Sequence, residues 1–132
     1  MSAPQKRFRV FCCVDDHGET CVRLNALLNE SGAASYEVFC ARDTQSALLW
    51  TMGERFDLYV IDQEFPDRTG LELCTKLREL DTHVPIIFYA GGPDKRVEAL
   101  GAGAQAYLVK PNIEELAETV MRELGESELA AA

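Results

Sequence analysis

Five nearly apolar runs, Phe8 to Val14, Tyr36 to Cys40, Phe56 to Ile61, Pro85 to Tyr89 and Ala106 to Val109, alternate with five segments of helical periodicity along the 132-residue chain. This alternation constrains the fold more than any other feature. Continuous apolar runs suit strands buried on both faces, and successive parallel strands need crossovers, usually helices, to cover those faces. The expected fold is therefore α/β, a doubly wound five-stranded parallel sheet with helices on both faces.

The helical segments have recognisable faces and ends. Cys21, Leu24, Leu27 and Leu28 share a face, with Gly32 as the expected left-handed stop. Asp43 is a candidate cap for a helix that carries Ala47, Leu48, Trp50 and Met52 and ends near Gly53, with Trp50 expected to serve packing. Thr69 and Glu72 have the spacing of a capping box before Leu73, Leu77 and Leu80. Asp94 to Leu100 is short for a helix. Asn112 and Glu115 repeat the capping-box spacing ahead of Ile113, Leu116, Ala117, Val120 and Leu124, with Gly125 as the expected end. One domain is expected over residues 1–132, its core at about 8–124 and a short tail at 125–132.

Size and charge narrow the functions. A chain of this length buries roughly two thirds of its unfolded surface and needs no disulfide to fold. The net charge of -9 argues against direct nucleic-acid binding, which requires Lys and Arg to displace counterions. Cys12, Cys13, Cys21, Cys40 and Cys74 lack both a CxxC pair and zinc-ligand spacing, so they are expected to be reduced, mostly buried packing residues. Met1 to Arg9 has no apolar stretch of signal-peptide length, and no segment approaches the roughly 20 apolar residues of a membrane helix. A cytoplasmic setting without membrane insertion is expected.

Charged residues collect where the strands end. Asp15 and Asp16 follow the first run, Asp62 the third and Lys110 the fifth. In an open parallel sheet those carboxyl ends form one rim, where ligands bind. Two carboxylates about 4 Å apart repel by roughly 4 kcal/mol at an effective dielectric of about 20, which a divalent cation would offset. Magnesium prefers oxygen ligands and commonly takes one or two carboxylates with a phosphate oxygen. Lys110 offers a rotatable point charge for a phosphoryl group, or else simply pairs with an aspartate. An aspartate can itself be the nucleophile in phosphoryl transfer, and Asp62, alone after its strand, is the best candidate.

These residues resemble the receiver domain of bacterial two-component response regulators. The resemblance covers residues 8 to 124 and is carried by Val14-Asp15-Asp16, Phe56 to Asp62 with Pro66 and Gly70, Val84 to Phe88, Gly103-Ala104 and Ala106 to Pro111. It implies the flavodoxin-like strand order 2-1-3-4-5 and a sensor histidine kinase or phosphotransfer protein that phosphorylates Asp62. It further implies Mg2+ held by Asp15, Asp16, Asp62 and the backbone carbonyl of Glu64, with Lys110 on the phosphoryl group. Tyr107 would be the aromatic whose position reports phosphorylation to a downstream protein or output domain.

The chain departs from the family pattern at Ala90, where a Ser or Thr hydroxyl usually bonds the phosphoryl group and moves, leaving room for the aromatic to turn inward. A hydrogen bond to a charged group is worth about 1.5 to 3 kcal/mol, so its loss should weaken coupling without abolishing phosphorylation. Gly91 and Gly92 leave their amides free to face a phosphoryl oxygen. Glu64 could disfavour hydroxide, orient a water or point to solvent. The segment from Ala90 to Lys110 is short for the family, which predicts an abbreviated fourth helix. His17 and His83 are expected to be surface residues. The alternative function is a pseudo-receiver, a phosphorylation-independent protein-interaction module. A phosphatase with an aspartate nucleophile is disfavoured by the missing DxD pattern after the first strand, and flavin binding by the acidic first loop.

Overall fold

The computed structural model describes residues 6–14, 18–30, 32, 34–64 and 66–131, apart from the side chains of Val14 and 126–131. Its elements are β1 (Arg7–Val14), α1 (Glu19–Leu28), β2 (Ser35–Ala41), α2 (Thr44–Gly53), β3 (Leu58–Gln63), α3 (Arg68–Leu80) and β4 (Ile86–Ala90). A 3₁₀ turn (Pro93–Lys95), α4 (Arg96–Gly101), β5 (Ala106–Val109) and α5 (Ile113–Ala131) complete the chain. The strands form one parallel sheet in the order β2-β1-β3-β4-β5. The expected doubly wound architecture and strand order are both present.

Alternation along each strand divides the core in two. Phe11, Ile61, Phe88 and Tyr107 face one side, where they pack with Ala47, Leu73, Leu77 and Ala99 from α2, α3 and α4. Val10, Cys12, Val60 and Ile87 face the other, against Leu24 and Leu28 of α1 and Leu116 and Val120 of α5. Trp50 is a packing residue, its ring 6.0 Å from that of Phe11 and 5.9 Å from that of Phe39.

Four of the five cysteines are buried, Cys40 is exposed, and all are free thiols. Contact with the Cys12 thiol, together with burial, pushes the Cys21 thiol well up, and burial followed by contact with Cys21 pushes Cys40 up to about 12. These protonated thiols fit a packing role.

Several helix ends differ from expectation. α1 stops at Leu28 with Asn29 as its cap, short of Gly32, which has φ 71° in the following loop. The Asn29 amide explains the stop. It donates to the Asn25 carbonyl at 2.9 Å and the Tyr36 carbonyl at 3.0 Å, and its oxygen accepts the Tyr36 N–H at 2.9 Å, joining the helix end to β2.

α3 starts at Arg68, and its cap is Asp67 rather than Thr69. The Asp67 carboxylate accepts the Thr69 N–H at 2.9 Å, and the Thr69 hydroxyl itself donates to Asp67 at 2.6 Å. Leu80, expected on the buried face, is 61% exposed at the last turn, and the buried face of α3 consists of Gly70, Leu73, Cys74 and Leu77. α5 continues through Gly125 to Ala131. A helical glycine costs only about 1 kcal/mol relative to alanine, and the Glu- and Ala-rich segment that follows favours helix.

The remaining segments follow their physical cues. Asn112 caps α5 by accepting the Glu115 N–H at 3.0 Å. The fourth helix is abbreviated, six residues after the 3₁₀ turn. β3 begins at Leu58 rather than Phe56, because the Asp57 side chain occupies the Arg9 N–H at 2.7 Å and Phe56 turns edge-on to Phe11.

Asp67 supports a test of the α3 start. Contact with the Thr69 hydroxyl holds its carboxyl below the usual carboxylate range, with the Gly70 and Thr69 amides adding to the effect against desolvation. A folded-state pKa below the unfolded one contributes stability above the unfolded value, and that stability is lost as pH falls through the folded value. Asp67→Ala is expected to cost about 1 kcal/mol at neutral pH. Urea unfolding at neutral and strongly acidic pH should show the difference shrinking in acid.

Candidate functional site

β3 and β4 carry the centre of the site. Asp62 lies inside β3, one residue beyond the expected strand end, because it pairs in register with Val14 of β1 and Tyr89 of β4. It is 1% exposed. Its Oδ1 meets the Lys110 ammonium at 2.6 Å as a charge contact, and its Oδ2 is buried without a hydrogen-bond partner among the described residues. Lys110 is held at the end of β5 by its own N–H, which donates to the Ala90 carbonyl at 2.6 Å. Burial works against the ammonium charge, but the adjoining Asp62 and Glu64 carboxylates outweigh it and place the Lys110 pKa above the ordinary lysine value. The ammonium therefore stays charged across the neutral range.

Glu64 turns its carboxylate toward Lys110 at 3.3 Å rather than simply to solvent. Its backbone carbonyl accepts the Gly91 N–H at 2.8 Å, so that amide is occupied within the protein and does not face the Asp62 cleft as anticipated. A side chain at Gly91 would place Cβ 2.5 Å from the Glu64 carbonyl oxygen, so the close approach of these two loops requires glycine.

The carboxylate set fits magnesium in its chemistry. A fully buried carboxylate with an unpartnered oxygen beside an ammonium is expensive unless something completes its coordination, and magnesium favours such hard oxygen donors. Among the described residues no trio of His, Cys, Asp and Glu side chains forms a metal cluster. Asp15, Asp16 and His17 lie outside the described residues. His83 is exposed, and its backbone N–H donates to Asp81 at 2.8 Å.

Ala90 is fully buried on the α2 to α4 side of the sheet. Tyr107 lies on that same side and is 3% exposed. Its hydroxyl donates to the Gly92 carbonyl at 2.6 Å, its ring stacks on Phe88 at 6.0 Å, and the Arg96 guanidinium lies 5.2 Å from the ring centroid. The aromatic is thus already turned inward, with Ala90 offering no side-chain hydroxyl.

The structure brings Asp62, Lys110 and Glu64 together, while Ala90 and Tyr107 sit on the other face of the same strand ends. A cleft of about 340 Å³ opens over the site, lined in part by Arg23, Glu64, Tyr89, Gly91 and Lys110. Sequence reading missed Tyr89 and Arg23 there, and Arg96 over Tyr107. The signal for Tyr89 was its place one residue before Ala90, which puts the two on opposite faces of β4.

Comparison with known proteins agrees with this geometry. A sequence profile of the response regulator receiver domain matches residues 11–121. The transcriptional regulatory protein PrrA of Mycobacterium tuberculosis is 38% identical over 111 residues, covering 83% of this chain and 46% of PrrA. The alkaline phosphatase synthesis transcriptional regulatory protein PhoP of Bacillus subtilis is 33% identical over 121 residues, 89% of this chain and 49% of PhoP. The chain thus spans about half the length of these relatives.

A putative response regulator from Chloroflexus aurantiacus superposes with a TM-score of 0.76 at 27% identity, covering 91% of this chain and 99% of that one. The response regulator TrrA of Thermotoga maritima, in complex with Mg2+ and beryllium fluoride, gives 0.70 at 28% identity over 90% of this chain and 99% of that one. With the parallel 2-1-3-4-5 sheet and an aspartate–lysine pair at its carboxyl rim, the chain belongs to the response regulator receiver domain family of two-component systems.

Proposed function

We propose that this receiver accepts a phosphoryl group on Asp62 from a histidine kinase or phosphotransfer protein, in a magnesium-dependent reaction. The observation that carries the reading is the buried Asp62 carboxylate, with Oδ1 on Lys110 at 2.6 Å and Oδ2 unpartnered. A carboxylate oxygen attacks phosphorus, the bond to the donor's imidazole nitrogen breaks, and the imidazole leaves with the electron pair and takes up a proton. Lys110 balances the charge of the transferred oxygens. Asp15, Asp16, Asp62 and the Glu64 carbonyl would hold magnesium, which supplies further charge neutralisation when bound. The complex of TrrA with magnesium and beryllium fluoride supports the use of magnesium in this reading.

Tyr107 gives the proposal a particular output. Its inward position, fixed by Gly92 and Arg96, leaves little room for a further swing on phosphorylation. The conformational response at the α4 and β5 surface is accordingly small, as the missing hydroxyl at Ala90 implies. The proposed downstream reader is a protein or output domain rather than nucleic acid, given the net charge of -9. Among the described residues no helix is long and apolar enough to cross a membrane, which supports the proposed cytoplasmic setting.

Acetyl phosphate with magnesium should add one phosphoryl group to the wild type and none to Asp62→Ala, read by intact mass spectrometry. Absence of the adduct from wild type, or its persistence in the variant, would sink the acceptor assignment. A partner bound equally well by Asp62→Asn would indicate a phosphorylation-independent interaction module instead.

A further inference from the structure

Tyr89 is the register partner of Asp62, so the two side chains leave adjacent strands on the same side of the sheet, the one covered by α1 and α5. Ala90, the next residue, faces the opposite side. The Lys110 ammonium lies 5.5 Å from the centroid of the Tyr89 ring, and this tyrosine is 4% exposed. Tyr89 also lines the cleft shared by Lys110, Arg23 and Glu64. A buried phenol ordinarily finds a hydrogen-bond partner. The Tyr89 hydroxyl instead opens on the cleft, since the fully buried side-chain atoms without a partner among the described residues are the two carboxylate oxygens of Asp62. A hydroxyl donor therefore borders a cleft lined by Lys110 and Arg23 together with Glu19 and Glu64, next to the buried Asp62 carboxylate.

We propose that the Tyr89 hydroxyl donates a hydrogen bond to the phosphoryl group on Asp62, supplying from the α1 and α5 side the hydroxyl that Ala90 lacks on the other. This assignment rests on the phosphoacceptor reading above. A phenol, with an ordinary pKa of about 10, is protonated at neutral pH and able to donate. Lys110 across the ring face restrains the ring by a cation–π contact. A donor on this side can bind the phosphoryl group without displacing Tyr107, whose ring packs on the opposite face. Recognition of the phosphoryl group is thereby separated from movement of the aromatic.

Tyr89→Phe removes one oxygen and keeps the ring under Lys110. Wild type, Tyr89→Phe and Tyr36→Phe are compared for binding of beryllium fluoride with magnesium by calorimetry, and for the lifetime of the acetyl phosphate adduct by mass spectrometry. Tyr36, stacked on Phe8 at the far end of β2, controls for general loss of a phenol. Losing a hydrogen bond to a charged group predicts about 10- to 100-fold weaker beryllium fluoride binding for Tyr89→Phe, with Tyr36→Phe matching wild type. Urea midpoints of Tyr89→Phe and wild type should stay close. Unchanged affinity and adduct lifetime in Tyr89→Phe would overturn the assignment while leaving Asp62 as acceptor. Weaker binding with a correspondingly lowered urea midpoint would overturn it in favour of a packing role. Failure of wild type to take up either reagent would overturn the acceptor reading, and this assignment with it.

Discussion

Lys110→Met is expected to destabilise the fold by about 3 kcal/mol in metal-free buffer, because it leaves the Asp62 carboxylate buried without a counter-charge. Methionine keeps an unbranched stem beside Tyr89, so little of the loss comes from packing. The pair is asymmetric: the Asp62 side chain is 1% exposed and that of Lys110 16%, with Glu64 as a second partner for the lysine. Asp62→Asn should therefore cost less than Lys110→Met, since the ammonium retains both water and Glu64. Combining the two removes the uncompensated charge and should return the urea midpoint to within about 1 kcal/mol of wild type. Simple addition of the two losses would show that the 2.6 Å contact does not couple these residues energetically.

Phe11→Ala should be at least as damaging, at about 3 to 5 kcal/mol, by lost transfer energy and the cavity left behind. The Phe11 ring is 2% exposed and sits 4.8 Å from Phe56, 6.0 Å from Tyr59 and 6.0 Å from Trp50. β1 lies between β2 and β3, so no strand at its flank can slide outward to fill the space without breaking a ladder. Against a typical total of about 5 to 15 kcal/mol, this loss takes a large share of the stability. Trp50 fluorescence during urea unfolding would report it directly. Phe11→Leu, which leaves a smaller void, should recover more than half of the loss. Equal midpoints for Phe11→Ala and wild type would mean that this aromatic cluster does not hold the sheet to α2. Because Phe11 faces away from Asp62, folded Phe11→Ala is expected to retain acetyl phosphate labelling at low temperature.

The strands were legible because a residue run apolar at nearly every position has few alternatives to a strand covered on both faces. Helix ends were less legible. Thr69 and Glu72 fit a capping box, yet Asp67 accepts the first amides, since a short carboxylate two residues earlier can reach the Thr69 N–H and its hydroxyl together. Gly32 is left-handed as expected, but Asn29 ends α1 first by bonding across to Tyr36 in β2. Local pattern gives the candidates for each end, and contacts with neighbouring elements select among them.

The same division runs through the site. Asp62 and Lys110 were readable because strand ends in a parallel sheet share one rim, so residues 48 positions apart could be placed together before any contact was known. Cross-strand register alone put Tyr89 beside Asp62, and loop approach alone tied the Glu64 carbonyl to Gly91. The inward Tyr107 likewise depends on Gly92, Phe88 and Arg96, which belong to three different segments. The sequence by itself determined the five-stranded α/β fold and the charged rim, because apolar periodicity and residue chemistry act locally along the chain. Which side chains meet on each face of that rim was decided by tertiary packing, because hydrogen-bond register and ring orientation are set between segments distant in sequence.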